Sequence, residues 1–227
     1  MSGDPLNRLV QAKVKDPELV QEKRRIIVEA ARELFSKKGY HATTMRNIAE
    51  AADMNLASIY QYLTSKDDVL YLFYMDIQKQ WAPMYHTLIE IPDPVEQLRA
   101  YIEAVLEVAY RINDELRTMY TESRHLERDS LQSVLLFEKQ TVETVESILD
   151  RGVEQGCFRT KDTFMAANII TYFVAFYAMR GWNLRGRYTF SRYVKLVINF
   201  IFSALGVDEN EREAAPRPPE TIMGKGI

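Results

Sequence analysis

Hydrophobic residues recur at helical spacing along almost the whole chain. In the stretch 45–52, for example, Met45, Ile48, Ala49 and Ala52 fall on one face of a helix. Alternating β-branched runs are few, and the sequence has no Asn-Gly or Asp-Gly hairpin turn. The pattern therefore predicts an all-α protein, with long helices over about residues 17–38, 66–81, 94–111, 114–127, 130–155, 162–183 and 189–205.

Residues 39–66 predict two short helices joined by a tight turn. Thr43 and Thr44 are suited to cap the first helix, because a hydroxyl can accept from the free N–H groups of a first helical turn. Asp53 follows this helix at the point where the chain must turn sharply, and Asp tolerates a left-handed backbone there.

The second short helix of this pair is predicted over LASIYQYL, residues 56–63, with Asn55 as its cap. The spacing turns three apolar residues inward: Leu56, Ile59 and Leu63. It leaves a polar and aromatic set on or near the outer side: Asn55, Ala57, Ser58, Tyr60, Gln61 and Tyr62. A short polar helix held at the end of a tight turn is the geometry that enters a DNA major groove.

These motifs resemble the DNA-binding domain of the TetR (tetracycline repressor) family of bacterial transcription regulators. The matching residues, strongest over about 20–70, are Leu34-Phe35, Gly39-Tyr40, Thr43-Thr44, Ile48-Ala49, Ile59-Tyr60, Tyr62 and Ser65-Lys66-Asp67. Three residues depart from the family pattern: Asp53 and Ala57 replace glycine, and Leu63 replaces phenylalanine. The resemblance implies an N-terminal three-helix helix-turn-helix domain and a C-terminal helical bundle that binds a ligand and dimerises.

The resemblance also implies which residues contact DNA. It assigns the DNA backbone to Thr44, Tyr60, Tyr62 and Lys66. The outward side chains Asn55, Ser58 and Gln61, with Ala57 among them, are the base-reading candidates, because Asn and Gln can pair bidentately with adenine. Arg46 could reach either a phosphate or a base.

Two alternatives stay open in this region. Tyr60 or Tyr62 could instead only pack against the first helix. The basic cluster Lys23, Arg24 and Arg25 could steady an N-terminal arm against DNA or form a solvated charged face.

Composition and charge divide the chain into a basic N-terminal part and an acidic remainder. The formal net charge is −3, but residues 1–66 carry 11 basic and 8 acidic residues, whereas the rest carries 18 basic and 24 acidic residues.

We expect a mobile arm over 1–17, a DNA-binding domain over 18–66, an effector-binding and dimerisation domain over 67–207, and a disordered tail over 208–227. A single cysteine and the absence of a long apolar run predict a cytoplasmic protein with no membrane partner.

Two late segments are apolar on nearly every face: MAANIITYFVAFYAM, residues 165–179, and YVKLVINFIFSAL, residues 193–205. A helix that is apolar all round must be buried all round. Either these two helices are the core of the monomer or one face packs against a second copy across a two-fold axis. We expect the homodimer, since paired heads meet two DNA half-sites.

Large residues with polar tips could line a cavity for a small hydrophobic effector, or could fill an ordinary core. The candidates are Tyr110, Met119, Tyr120, Phe137, Asn168, Tyr172, Phe176 and Trp182. A fatty acyl-coenzyme A or another lipid-like molecule is one expectation, because Arg180, Arg185 and Arg187 near Trp182 could hold phosphates. The alternative for these arginines is a solvated loop.

The sequence offers little for an enzyme. Glu122 and His125 form one Glu-x-x-His unit, but a di-iron site needs two, and His41 and His86 lie outside any such unit. We therefore expect no catalytic residue, no metal and no cofactor. The expected function is a ligand-responsive repressor that binds a palindromic operator as a dimer. One alternative is an effector-independent DNA-binding protein of the same fold. A second, less favoured alternative is a helical-bundle enzyme.

Overall fold

The computed structural model describes residues 8–81, 88 and 90–207, and in this part of the chain every regular element is a helix. The head consists of α1 (Pro17–Lys38), α2 (Met45–Ala51) and α3 (Leu56–Ile59), and α4 (Lys66–Lys79) leads out of it. The body consists of α5 (Pro94–Arg111), α6 (Asn113–Glu122), a 3-10 turn (Ser123–His125), α7 (Arg128–Glu154), α8 (Thr163–Leu184) and α9 (Phe190–Ala204). The all-α prediction is confirmed.

Local capping explains where the head helices begin. Thr44 caps α2 and exchanges hydrogen bonds with Asn47, and Asn55 caps α3 through the Ser58 N–H at 2.7 Å. Asp53 adopts a positive φ of 51°, as the tight turn requires. The expected helix over 56–63 is wrong in length, because α3 ends at Ile59. The chain then tightens, with the Gln61 and Tyr62 N–H groups donating to carbonyls three residues back.

The segment before α1 lies against the head. Val10 is buried, and the Lys13 N–H donates to the Gln61 carbonyl at 2.8 Å. Arg8 pairs with Asp67 at 3.2 Å and with Asp68 at 2.8 Å. Arg8, Val10 and Lys13 therefore tie this segment to the head and to the start of α4. The mobility predicted for 1–17 and the predicted tail over 208–227 stay predictions, since residues 1–7 and 208–227 lie outside the described part.

Helix α4 joins the head to the body. Its cap, Ser65, accepts from the Asp68 N–H, while the Asp68 carboxylate accepts from the N–H groups of Thr64 and Ser65. Its inner face is buried throughout and packs against α1 and α7. Arg32 of α1 adds a second tie, because it pairs with Asp76 of α4 and with Glu115 of α6.

The body is a bundle in which α8 packs against α5, α6 and α7, and α9 packs against α5. The apolar cores of head and body are continuous through α4. A displacement of α4 would therefore reach both parts of the molecule.

Candidate DNA-binding surface and effector cavity

Most of the residues expected to contact DNA lie on one accessible surface of the head. Six are exposed: Thr44, Arg46, Asn55, Ala57, Tyr60 and Gln61. Ser58 is half-buried beside them. The prediction that Leu56, Ile59 and Leu63 face inward is supported, since Ile59 and Leu63 are fully buried and Leu56 packs against the core. The turn between α2 and α3 thus presents its polar side outward.

Two predicted DNA contacts also have partners within the chain. The Tyr62 ring packs partly against the core. The Lys66 ammonium donates to the Tyr40 carbonyl and lies 4.0 Å from the centre of the Tyr40 ring. Burial lowers the pKa of Lys66, and the nearby Glu122 carboxylate opposes that shift. Lys66 is therefore held in place while keeping further N–H donors for a phosphate.

Arg24 is not part of a solvated charged face, which is one of the two expectations for the basic cluster; that the cluster steadies the arm against DNA stays a prediction. Its guanidinium donates to the Tyr62 carbonyl at 2.9 Å and to the Val10 carbonyl at 2.7 Å. Burial lowers its pKa, and the Asp68 charge opposes that shift. Arg24 thus ties the N-terminal segment to the end of the DNA-reading unit. Nothing in the local sequence signals this role, since both acceptors are backbone carbonyls.

The body contains a cavity of about 420 Å³ between α6, α7 and α8. Tyr120, Leu135, Val142, Phe164 and Tyr172 give it a largely apolar wall. Its polar groups are the carboxylates and lysine of α7, with Asn168 and Thr171 of α8. A cavity with these properties suits a small apolar ligand that carries a few polar atoms.

A smaller cavity of about 40 Å³ lies deeper in the body. Tyr120, Glu138 and Thr171 line both cavities, so only one layer of side chains separates them. Ile77 of α4 and Trp81 line the far wall of the smaller one. The two cavities therefore connect the surface of the body with the helix that carries the head.

Glu138 supplies a titratable group at this point. Burial raises the pKa of its carboxyl group, because the charged form is less well solvated there than in water. The nearby hydroxyl of Tyr120 also has a raised pKa, first because it is buried and then because Glu138 is close. The Tyr120 hydroxyl can therefore donate a hydrogen bond into the cavity, and Glu138 can do so in its protonated form.

The structure brings five of the eight effector candidates to these cavities: Met119, Tyr120, Phe137, Asn168 and Tyr172. The polar residues that stand out within α8 satisfy themselves, because Asn168 donates to the Phe164 carbonyl and Thr171 to the Ala167 carbonyl. Asn168 and Thr171 thus line the cavity although both already have a hydrogen-bond acceptor within α8.

Three of the eight candidates lie outside both cavities. Tyr110 stacks on Phe190 with 4.2 Å between ring centres, Phe176 is adjacent to Phe173, and Trp182 is 70% exposed. Arg180, Arg185 and Arg187 are exposed at the end of α8 far from the cavity. Arg185 is 14 residues beyond Thr171, about 20 Å along a helix.

Exposed apolar side chains mark one face of the last two helices. On α8 they recur at helical spacing, at Met165, Ile169, Tyr172, Phe176 and Met179. On α9 they include Phe200, which is 63% exposed and pairs with Phe173. An apolar face of this extent on a globular chain indicates an interface.

Sequence reasoning missed a cluster at the junction of head and body. His41, placed outside any metal unit by its sequence position, lies beside Glu122 and His125. The two histidine Nε2 atoms are 2.9 Å apart. Their separation along the chain is 84 residues, so no local pattern could reveal their proximity.

Comparison with known families covers both parts of this fold. Residues 27–71 match the bacterial regulatory proteins of the tetR family, and residues 92–203 match the tetracyclin repressor-like C-terminal domain. The chain belongs to the TetR family. As a TetR-family protein it is a DNA-binding transcriptional regulator with a helix-turn-helix head. No helix in the described part of the chain has the length and hydropathy needed to cross a membrane.

Individual TetR-family proteins resemble it along most of its length. HbdR, an HTH-type transcriptional regulator of Aromatoleum sp. (strain CIB), is 29% identical over 219 residues, which cover 94% of this chain and 95% of HbdR. The crystal structure of the TetR-family regulator PfmR from Thermus thermophilus superposes with a TM-score of 0.68 at 26% identity, over 81% of this chain and 98% of PfmR. AibR in complex with isovaleryl coenzyme A and operator DNA gives a TM-score of 0.70 at 22% identity, over 82% of this chain and all of AibR.

Proposed function

We propose that this chain is a repressor that binds a palindromic operator as a homodimer and releases it when a small hydrophobic effector enters the body. The observation that carries the proposal is the path from the larger cavity, through the side chains of Tyr120, Glu138 and Thr171, to the end of α4. The opposite end of α4 is bonded into the head, because Lys66 donates to the Tyr40 carbonyl. The protein would act in the cytoplasm, where its operator is.

DNA binding rests on the exposed surface of the head. Arg46 and Gln61 project from it without a structural role in the capping network, and Tyr60 is 37% exposed. In the proposed complex Gln61 and Ser58 read bases, while Thr44, Tyr60 and Lys66 contact phosphates. Asn55 keeps its amide N–H donors for DNA while its oxygen caps α3.

The homodimer would form through the exposed apolar face of α8 and α9. Tyr172 belongs to this face and also lines the larger cavity. A second copy packed on α8 would therefore cover the mouth of the cavity. An effector held there would contact both the partner and the side chains that lead to α4. It could therefore bind one arrangement of these parts more tightly than another, and a population shift requires such a difference in affinity.

The lining of the cavity restricts the effector. Glu138, Glu143 and Glu146 face it together with one lysine, Lys139, which itself lies 3.4 Å from Glu143. A free carboxylate inside the cavity would meet like charge. A neutral carbonyl, such as that of an acyl thioester, could instead accept a hydrogen bond from the Tyr120 hydroxyl. The acyl-coenzyme A bound by AibR belongs to that chemical class. We therefore propose an acyl thioester or a similar carbonyl compound.

The test is operator binding measured during titration with acyl-coenzyme A thioesters of short, medium and long chain. A substitution that fills the cavity, Val142→Trp, should leave operator binding in place and abolish release. The matched control is Val153→Trp on the same helix but outside both cavities, and it should respond like the unmodified chain.

The effector-independent alternative predicts a different result. Native mass spectrometry of gently purified protein would show a dimer with nothing bound, and none of the thioesters would change operator affinity. That outcome would overturn the effector part of the proposal and leave the DNA-binding part standing.

A further inference from the structure

Three potential metal ligands converge where the head meets the body. His41 lies in the loop between α1 and α2, Glu122 is the last residue of α6, and His125 ends the 3-10 turn. The Glu122 Oε2 atom lies 3.5 Å from His41 Nε2 and 3.7 Å from His125 Nε2. With the 2.9 Å between the two nitrogens, these three atoms form a compact triangle.

The triangle has the size of one face of a tetrahedral metal site. With zinc–ligand bonds of about 2.0–2.1 Å, neighbouring ligand atoms in a tetrahedron are separated by about 3.3 Å. The observed sides of 2.9, 3.5 and 3.7 Å lie within about 0.4 Å of that value. A single ion could therefore contact all three atoms once their separations change by up to about 0.4 Å. Two histidines and one carboxylate are also a ligand set that zinc uses with an open fourth position.

Neighbouring residues hold these ligands in place, and one ligand atom has no hydrogen-bond donor among the described residues. Glu122 Oε2 is buried, and no group in the described part of the chain donates a hydrogen bond to it. The His125 ring stacks on Tyr40, whose carbonyl is fixed by Lys66. The fourth position would face solvent, since the His41 side chain is 64% exposed.

Two cations near the cluster oppose a bound metal ion. Arg124 donates to His125 Nε2 at 3.1 Å, and Lys66 is close enough to Glu122 to interact with its charge. Arg124 is exposed and free to turn into solvent. The carboxylates of Asp67 and Glu127 act on Tyr40 together with Glu122, so the cluster retains an acidic surrounding. Arg124 would therefore be a competitor that the metal displaces.

We propose that His41, Glu122 and His125 bind one divalent transition-metal ion of the Zn²⁺ type, which ties the α1–α2 loop of the head to the end of α6. One ligand comes from the head and two come from the body. The bound ion would therefore stabilise the relative placement of head and body seen here.

The test uses the full chain without a histidine tag. Zn²⁺ binding is measured by calorimetry, and Co²⁺ is used as a visible-absorption probe of four-coordinate geometry. We expect one ion per chain and an increase in Tm on adding Zn²⁺. Because loss of an outer-shell partner alone costs about 10–100-fold in metal affinity, His41→Ala and Glu122→Gln should each lose at least that much.

Two further variants make the test specific. Arg124→Ala should bind Zn²⁺ more tightly, by up to about 10-fold, because it removes one competing hydrogen bond. His86→Ala removes the remaining histidine of the sequence and should bind Zn²⁺ like the unmodified chain. His41 is exposed, so its loss should leave the fold intact, which circular dichroism checks. The proposal fails if the unmodified chain binds no stoichiometric Zn²⁺, or if His41→Ala and Glu122→Gln bind it unchanged. None of these measurements needs DNA, so they are independent of the repressor proposal.

Discussion

Asp67 of α4 is the residue whose removal should do most damage to the junction of head and body. Its carboxylate accepts from the Glu127 N–H at 2.7 Å, from the Ser130 hydroxyl at 2.8 Å and from Arg8 at 3.2 Å. Glu127 precedes α7 and makes no side-chain cap of its own. Asp67 therefore caps a body helix from outside, and Asp67→Ala would leave that helix end unsatisfied.

The cost of this substitution can be worked from these three bonds. Hydrogen bonds to a charged group contribute about 1.5–3 kcal/mol each. The bond to the buried Ser130 hydroxyl and the partly buried bond to the Glu127 N–H are lost, whereas Arg8 keeps its pairing with Asp68. We expect a loss of about 4 kcal/mol in the free energy of unfolding. For a chain of this length that corresponds to a fall in Tm of about 8–16 °C.

The assay is thermal and urea unfolding at one fixed protein concentration, because dimerisation makes Tm depend on concentration. Asp93→Ala is the matched control. Asp93 is an exposed cap of α5 that accepts one bond, from the Glu96 N–H at 2.9 Å, and its loss should cost about 1 kcal/mol. If Asp67→Ala costs no more than Asp93→Ala, the assignment of Asp67 as the cap of α7 is wrong.

Four further predictions concern other parts of the structure. Gln61→Ala should change which operator bases are preferred, and an unchanged preference in DNA selection would remove it from the base-reading set. Arg24→Met should cost about 2 kcal/mol in urea unfolding, because two backbone carbonyls lose a charged donor; a neutral result would show that the N-terminal segment needs no such tie. Burial raises the pKa of Glu138, so the unfolded chain loses this proton first as the pH rises, and the folded state loses stability above pH 4.5. Glu138→Gln should therefore raise the Tm at about pH 7 but not at about pH 4. The control Glu154→Gln, on the same helix, should leave the Tm unchanged at both pH values. Phe200→Glu should give a monomer in analytical ultracentrifugation, and a dimer of full strength would exclude α9 from the interface.

The local signals in the sequence are sufficient for most of the head. Thr44 and Asn55 are predictable as caps because capping depends on residues three positions away, and the structure confirms both. Thr43, the other residue suited to cap α2, instead donates its hydroxyl to the Gly39 carbonyl. The end of α3 is not predictable in this way. Nothing between Tyr60 and Tyr62 forbids a helix, and the chain tightens there while tertiary bonds from Arg24 and Lys13 hold the Tyr62 and Gln61 carbonyls.

The body illustrates a different limit. Helical periodicity locates α5, α7, α8 and α9 to within two residues, whereas α6 ends at Glu122 and not at the predicted residue 127. Periodicity cannot say which large aromatic residues share a cavity. Tyr172 and Phe176 are one helical turn apart, yet only Tyr172 lines the cavity. Contacts between distant segments are equally hidden. Asp67 lies in the first turn of α4, where an acidic residue already suits the helix dipole, and the sequence places His41 in no cluster. Their partners in space lie 60 and 84 residues away in the sequence.

The most direct test of the proposed function is selection of bound sequences from random double-stranded DNA with the purified chain, followed by sequencing. We expect an enriched palindrome with two half-sites centred about one helical turn, or a small multiple of it, apart. We also expect Tyr60→Ala to bind the selected sequence more weakly. Recovery of no enriched sequence, or of a single half-site bound equally well alone, would contradict a dimeric operator-binding repressor.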